Sequence, residues 1–442
     1  MPHIITELPG PRARAILERS RRAEPNCMSD QAPLVWARAS GVEIEDVDGN
    51  TFLDFSSGVL VTNIGHCHPR YVAAVQAQAA RLYNCYDFVT EERATLAERL
   101  VAMTPPHLDR CFLLTTGSDA TEAAMKMARR AHSGFEILTF HGAFHGRTFG
   151  AMSAGVSGSV RHGFGPLLPG MIHAPFCYCY RCVYDKTFPA CDLWCLDQLN
   201  WVVGRESTGA LCAVMTEPYQ GGAGSIIPPP GYMERLQEWC RDRGVFFILD
   251  EVQSSFGRTG RMFAFEHYGI EPDLVTLGKG LGSGVPCSAV LGRSSIMGKL
   301  GPGELSSTNG GNPLSCAAAH ASLDIIEGEG LVANAARLEP IMHARLAATQ
   351  ARYPQLGDVR GQGLVFGVEL VESPTTKEPA PGLAKAVVYQ AYLRGLCLIA
   401  PIGMFGNVLR IAPPLVITEA QMLEALDILE EAVGAGIASQ SA

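Results

Sequence analysis

VFFILDEVQSSFGRTGRMFAFEHYGIEPDLVTLGK, residues 245–279, is the stretch on which the fold turns. It holds two short apolar runs, one starting at Val245 and one at Leu274. Each run closes on a charged residue, Asp250 in the first and Lys279 in the second. The runs are apolar almost throughout, not at every second position. That pattern marks strands covered on both faces, as in parallel sheets.

The pattern recurs on either side, from about residue 95 to 295. CFLLTTG from Cys111, EILTFHG from Glu136, MIHAPF from Met171, LCAVMTEP from Leu211 and CSAVLGR from Cys287 read as strands with helical stretches between them. The expectation is an α/β fold with a large, mostly parallel seven-stranded sheet. Such sheets bind ligands beyond the carboxyl ends of their strands. Before this region, GVEIEDVDGNTFLDFSSG alternates apolar and polar residues around Asp48-Gly49-Asn50 and reads as a β-hairpin. RYVAAVQAQAARLYN, after Pro69, reads as a helix. Beyond about residue 330, GQGLVFGVELV, GLCLIAP and NVLRIAPP look like strands, and a last helix starts near Thr418-Glu419. Three parts follow: residues 1–65 joining a small domain, 66–325 as the large domain, and 326–442 as the rest of a small α+β domain.

Composition narrows the function. The chain has 442 residues, 47% hydrophobic and 18% charged, which suits a large core and not disorder. Its net charge of −9 and the lack of a long Lys/Arg run argue against nucleic acid as partner. No apolar run is long enough to suggest a membrane span, and the N-terminal stretch lacks the order of a secretory signal. A cytoplasmic protein with no membrane partner is expected.

Six lysines occur, and Lys279 alone ends an apolar strand and enters a Gly-rich turn. Partial desolvation there lowers an amine's pKa and frees it to attack a carbonyl. A snorkelling lysine at a strand end is the other reading. Asp250 follows FFIL, where a carboxylate needs a cation. A protonated pyridine nitrogen would serve, and an N-cap is the alternative. In LLTTGSDATEAAMKMARR a strand meets a helix at Gly117-Ser118, a place where N–H groups bind anions or where a capping box forms. In FHGAFHGRTFG, Phe144 could stack on an aromatic ring and Arg147 could grip a carboxylate. A buried aromatic and a solvated arginine are the alternatives. Arg410 lies inside the apolar run NVLRIAPP, where an arginine needs a partner, such as a substrate carboxylate.

SGVLVTNIGHCHP, TTGSDATEAAMKMAR, FHGRTFG, EPYQGGAG, LDEVQSSFGRTG, TLGKGLGSGVP, STNGGNPL and VLRIAPP follow in this order between about Gly41 and Leu429. Together they resemble the class III, fold type I, pyridoxal-phosphate-dependent aminotransferases, the group of 4-aminobutyrate and ornithine aminotransferases and of 2,2-dialkylglycine decarboxylase. The resemblance implies Lys279 as the Schiff-base lysine and proton shuttle, with Asp250 on the pyridine nitrogen. It implies Gln253 near the ring hydroxyl, Val252 beneath the ring and Phe144 above it. Gly117 and Ser118 would hold the phosphate. Thr308 would reach the phosphate of a partner subunit, which implies a homodimer, or a tetramer built from it, with sites at the interface. The reaction would be ping-pong, with an amino donor and an oxo acid as substrates.

For the substrate, Arg410 matches the arginine for an α-carboxylate and Arg147 the one for a distal carboxylate. This implies an ω-amino acid donor and 2-oxoglutarate or pyruvate as acceptor. Gly222 stands where 4-aminobutyrate enzymes carry a glutamate, so the shielding of Arg410 must work differently or the donor must differ. A decarboxylating transaminase is a second reading; Val59, Phe144 and Arg147 depart from the residues of 2,2-dialkylglycine decarboxylase and point to plain transamination. A racemase or epimerase is a third, and Arg410 counts against it. A non-enzymatic cofactor-binding scaffold would tend to lose Lys279 or Asp250, and both are present.

FCYCYRCVYDKTFPACDLWC holds Cys177 and a C-x2-C-x8-C-x3-C spacing over Cys179, Cys182, Cys191 and Cys195. Four thiolates so spaced could bind zinc or an iron–sulfur cluster. Buried or interface thiols are the alternative.

Overall fold

A computed structural model of the chain describes residues 2–155 and 158–440. It divides into two compact units. The first runs up to Pro69, takes in Gly257–Gly260, and resumes from Ile326; the second holds Arg70–Phe256 and Arg261–Ile325.

The first unit opens with strands β1 (Trp36–Ser40), β2 (Glu43–Asp46) and β3 (Thr51–Asp54). β2 and β3 form the antiparallel hairpin read from the Asp48-Gly49-Asn50 turn. The second unit carries β4 (Arg110–Leu114), β5 (Glu136–Phe140), β6 (Met171–Ala174), β7 (Leu211–Thr216), β8 (Phe246–Asp250), β9 (Leu274–Leu277) and β10 (Ser288–Gly292). The first unit closes with β11 (Leu356–Gln362), β12 (Val365–Leu370), β13 (Leu396–Cys397) and β14 (Val408–Ile411).

The seven strands of the second unit form one sheet in the order β4-β10-β9-β8-β7-β5-β6. β10 is antiparallel to both of its neighbours, and the pairs from β9 to β6 are parallel. All seven runs read as strands in the sequence are present. The helix Gly117–Ala131 packs on this sheet through Ala120, Ala123, Ala124, Met125 and Ala128, all 3% exposed or less. Alanines on that face let the helix axis come close to the strands. Their neighbours in the core include Cys212, Met215, Ile248, Leu274 and Val290. The antiparallel placement of β10 leaves β4 running the same way as β9. The carboxyl ends of β4, β5, β7, β8 and β9 therefore open on one edge of the sheet.

In the first unit β1, β2, β3 and β13 make one sheet, and β11, β12 and β14 another. GQGLVFGVELV, expected as a single strand, is instead the turn and second arm of a hairpin: β11 ends at Gln362 and β12 starts at Val365. The break is at Gly363, with φ +58°, where a Cβ would stand 2.3 Å from the Thr259 carbonyl carbon. Only glycine satisfies both the left-handed backbone and the close approach. The last helix, Glu419–Gln440, begins where the sequence indicated.

Ser57, Gly58, Val59 and Leu60 all have positive φ, between 48° and 68°. Four successive left-handed residues, one of them β-branched, make a costly turn that the surroundings must hold. Arg258 does much of this. Its side chain is fully buried and donates to Ser57 Oγ (3.3 Å), Asn63 Oδ1 (2.8 Å), and the carbonyls of Leu364 (2.9 Å) and Pro413 (2.6 Å).

Arg258→Ala would leave those buried carbonyls without their donor. A loss of about 3 kcal/mol is expected, read as a lower urea midpoint for unfolding. An unchanged midpoint would show that the turn is held by other means.

Candidate active site

The second unit gathers its chemistry at the carboxyl edge of the sheet. β8 and β9 lie side by side with Asp250 opposite Thr276. Register therefore carries Lys279, three residues past Thr276, out of the sheet just beyond Asp250. Lys279 opens a short 3-10 turn, Lys279–Leu281, with φ +43°. A left-handed lysine is uncommon, and such conformations gather at functional sites.

Asp250 is 4% exposed. Its Oδ1 accepts the Val252 N–H (3.0 Å) and the Thr276 hydroxyl (3.1 Å). Its Oδ2 lies 2.7 Å from His145 Nδ1. Burial works against a charged imidazole, but the hydrogen bond and charge of Asp250 outweigh it, and the His145 pKa stands above its ordinary value. The far nitrogen of that ring, Nε2, is buried without a partner among the described residues.

Phe144 precedes His145 and is half-buried. Arg147 is exposed, with its guanidinium carbon 5.6 Å from the Phe144 ring centre. Its backbone N–H reaches the Ser118 hydroxyl at 3.3 Å. Ser118 and Gly117 open the helix Gly117–Ala131, where Thr116 and Asp119 form a capping box. The box satisfies the Asp119 N–H. The N–H groups of Gly117 and Ser118 lie in the first turn, which has no partners within the helix. A Cβ on Gly117 would stand 2.9 Å from Val252 Cγ1, and one on Gly278 would stand 3.2 Å from the same atom. The turns after β4, β8 and β9 thus meet at Val252.

Gln253, next along, has a buried Oε1 without a partner among the described residues. Gly222 lies in the turn after β7, and a Cβ there would come 2.8 Å from Phe144 Cβ. That atom is fixed by its backbone, so the place of a glutamate is closed by Phe144. Thr308 is exposed in the loop before the helix Pro313–Gly328. Val59 and Arg410 belong to the first unit: Val59 in the left-handed turn, Arg410 buried at 4% exposure on β14 opposite Gly367 of β12.

Sequence reasoning gave no role to His145, Thr276 or Glu217. Glu217 follows the apolar run of β7 as Asp250 follows that of β8, and it too is buried, at 3% exposure. The signal that marked Asp250 was present there as well. His145 carried no such signal, because only the fold brings it to Asp250 across 105 residues.

Cys177, Cys179, Cys182, Cys191 and Cys195 line one small cavity of about 20 Å³. Burial, with the neighbouring Cys179, Cys191 and Cys182, pushes the Cys195 thiol up to about 12. Among the described residues, no group of three or more His, Cys, Asp or Glu is arranged to hold a metal ion. Among them too, no helix is long and apolar enough to cross a membrane.

Residues 26–433 match the family model for class-III aminotransferases. The chain is 40% identical over 437 residues to the 4-aminobutyrate aminotransferase of Mycobacterium leprae, covering 98% of each. It is 36% identical over 443 residues to the alanine/serine racemase of Pyrococcus horikoshii, covering 98% of this chain and 92% of that one. The ornithine aminotransferase structure of Toxoplasma gondii superposes with a TM-score of 0.84 at 30% identity, covering 96% and 95% of the two chains. The chain belongs to the class-III aminotransferases. It is an aminotransferase, and its cofactor is pyridoxal 5′-phosphate.

The edge of the sheet fits that cofactor. A buried carboxylate that would suit the ring nitrogen, a Gln253 oxygen without a partner among the described residues, and a glycine-built helix start that would suit a phosphate all lie in one unit. Gly117→Ala would drive a methyl group into Val252. It is expected to weaken pyridoxal phosphate binding by about tenfold or more, equal to about 1.4 kcal/mol, with the fold retained. Titrating the cofactor into apo-protein and recording far-ultraviolet circular dichroism would check both.

Proposed function

We propose that this chain moves the amino group of an ω-amino acid, 4-aminobutyrate first among them, to 2-oxoglutarate or pyruvate. It would do so as a cytoplasmic homodimer, in two alternating half-reactions. The observation that carries the reading is the placing of Lys279 and Asp250 at the ends of neighbouring strands, β9 and β8. The 40% identity to the M. leprae 4-aminobutyrate aminotransferase supports the donor.

Bound pyridoxal phosphate supplies an aldehyde that condenses with amines and a ring that accepts the electron pair released at the amine carbon. Lys279 holds the cofactor at rest. Its Nζ would take a proton from the donor carbon and deliver it again. Asp250 keeps the ring nitrogen protonated, and His145, Thr276 and the Val252 N–H hold its two oxygens in place. Phe144 and Val252 confine the ring between them. Gly117 and Ser118 bind the phosphate, and Gln253 meets the ring hydroxyl. Thr308 reaches the phosphate in the partner subunit. Arg147 takes the distal carboxylate and Arg410 the α-carboxylate, with Val59 at the substrate's edge. Gly222 carries no carboxylate where 4-aminobutyrate enzymes have a glutamate.

Racemisation is a second reading, favoured by the 36% identity to the P. horikoshii enzyme. It would return the proton to the carbon it left, with no oxo acid needed. One half-reaction separates the two. With 4-aminobutyrate and no oxo acid, loss of the holoenzyme's long-wavelength absorbance is expected, with release of a semialdehyde. An unchanged spectrum, together with loss of optical rotation from an α-amino acid, would favour the racemase, and carbon dioxide release from an α,α-dialkyl donor would favour decarboxylation. Lys279→Ala is expected to slow turnover by about 10²–10⁴-fold, the worth of a positioned proton carrier, while the cofactor remains bound without a covalent link.

A further inference from the structure

Glu217 is a buried acid to which the reaction above gives no part. It directly follows β7 and is 3% exposed. One carboxylate oxygen accepts the N–H of Phe144 at 2.9 Å, and the other accepts the N–H of Gly221 at 2.9 Å. The first bond reaches back 73 residues to the turn after β5. The second closes the turn that carries Gly222. Phe144 is joined in the chain to His145, whose ring holds Asp250. One carboxylate is therefore tied to the aromatic wall, to the glycine turn and, through the wall, to the acid that faces the ring nitrogen.

The two bonds demand a specific protonation state. A carboxylate accepts both N–H groups. A carboxylic acid accepts at one oxygen and presents a hydrogen at the other, where it would oppose a second donor. Protonation leaves the hydroxyl oxygen a poorer acceptor and weakens one of the two ties.

We propose that Glu217 is a positioning residue of the aminotransferase reaction, whose carboxylate sets Phe144 against the cofactor ring and, through His145, sets Asp250 toward the ring nitrogen. This rests on the roles given above to Phe144 and Asp250.

The charge on Glu217 is conditional. Burial pushes its pKa up to about 7; the His145 imidazole and the N–H groups of Phe144 and Gly221 pull the other way, and Asp250 adds to the rise. The titratable groups that face it are His145, from the turn after β5, and Asp250, at the end of β8. A raised acid pKa means that the folded chain binds the proton more tightly than the unfolded one. Its contribution to stability is full below the ordinary value of 4.5 and is lost as pH rises through about 7. Positioning has the opposite sense: both ties are at full strength above that pH and one is weakened below it. Glu217 thus gives up stability at the pH where it orders the site.

The test uses holoprotein in three forms: wild type, Glu217→Gln and Glu217→Asp. Glutamine fixes the one-acceptor state at every pH, and aspartate restores the charge. The readouts are the cofactor's absorbance against pH without substrate, the affinity of apo-protein for pyridoxal phosphate, and kcat and KM. In the wild type, absorbance and kcat are expected to change with a midpoint near pH 7. Glu217→Gln is expected to lose that midpoint and to lower kcat by about 10- to 100-fold with KM within about threefold, the pattern of a lost transition-state interaction. Glu217→Asp is expected to regain a midpoint. A glutamine variant that keeps both the midpoint and the wild-type kcat would overturn the proposal. Should that variant fail to fold, a wild-type spectrum that stays flat from about pH 5.5 to about 8.5, spanning the Glu217 titration, would overturn it. Wild-type holoprotein that turns over no amino donor yet shows the spectral midpoint, absent in Glu217→Gln, would sink the proposed function and still support Glu217.

Discussion

The contact between His145 and Asp250 is the one on which the site depends. A carboxylate at 4% exposure is costly to hold ionised unless its oxygens are met by donors or by positive charge. Here one oxygen receives a backbone N–H and a hydroxyl, and the other faces an imidazole at 2.7 Å. Removing the imidazole would leave a buried charge half satisfied. The strand ends are drawn together around this one group: Thr276 comes from β9, Val252 from the turn after β8, and His145 from the turn after β5. A cationic ring nitrogen brought to the same carboxylate would find it already oriented, with little reorganisation left to make.

Some of the backbone strain in this chain falls where chemistry is proposed. Lys279 is left-handed at the start of its turn, and Val59 lies within four successive left-handed residues. Neither conformation is favourable by itself. Strand register and the packing of Gly278 against Val252 frame the turn that holds Lys279. Arg258 holds the turn of Val59, with four hydrogen bonds inside the first unit. In each unit a rigid neighbour imposes a geometry that the local sequence would not choose.

Gly222 shows how small residues decide what a site can contain. A side chain there meets Phe144 Cβ at 2.8 Å, so the Phe144 wall and a glutamate cannot share the space without a backbone shift. The 40% identity to a 4-aminobutyrate aminotransferase and the 36% identity to a racemase lie on the same fold. Side chains at such positions, more than the sheet, must separate those chemistries.

The amino-acid sequence by itself determined the seven strands of the large sheet, because runs apolar almost throughout are buried between two covering layers. It also marked Lys279 and Asp250, because a charge that directly ends such a run has to be answered by another group. It misread GQGLVFGVELV as one strand, since the close approach of Thr259 that demands a turn at Gly363 is not local. Tertiary structure alone decided that His145 meets Asp250, that Glu217 ties Phe144 to Gly221, and that Arg258 braces Ser57 and Asn63. Apart from Glu217 and Gly221, these partners lie tens to hundreds of residues apart, and periodicity carries no information about which distant turns will share an edge of the sheet. The five clustered cysteines belong to the same class: their spacing left a metal and buried thiols both open, and the fold sets them around a small cavity where burial raises the Cys177 and Cys195 thiols. Burial and direction, which decide between a ligand and a hydrophobe, are properties of the packed chain.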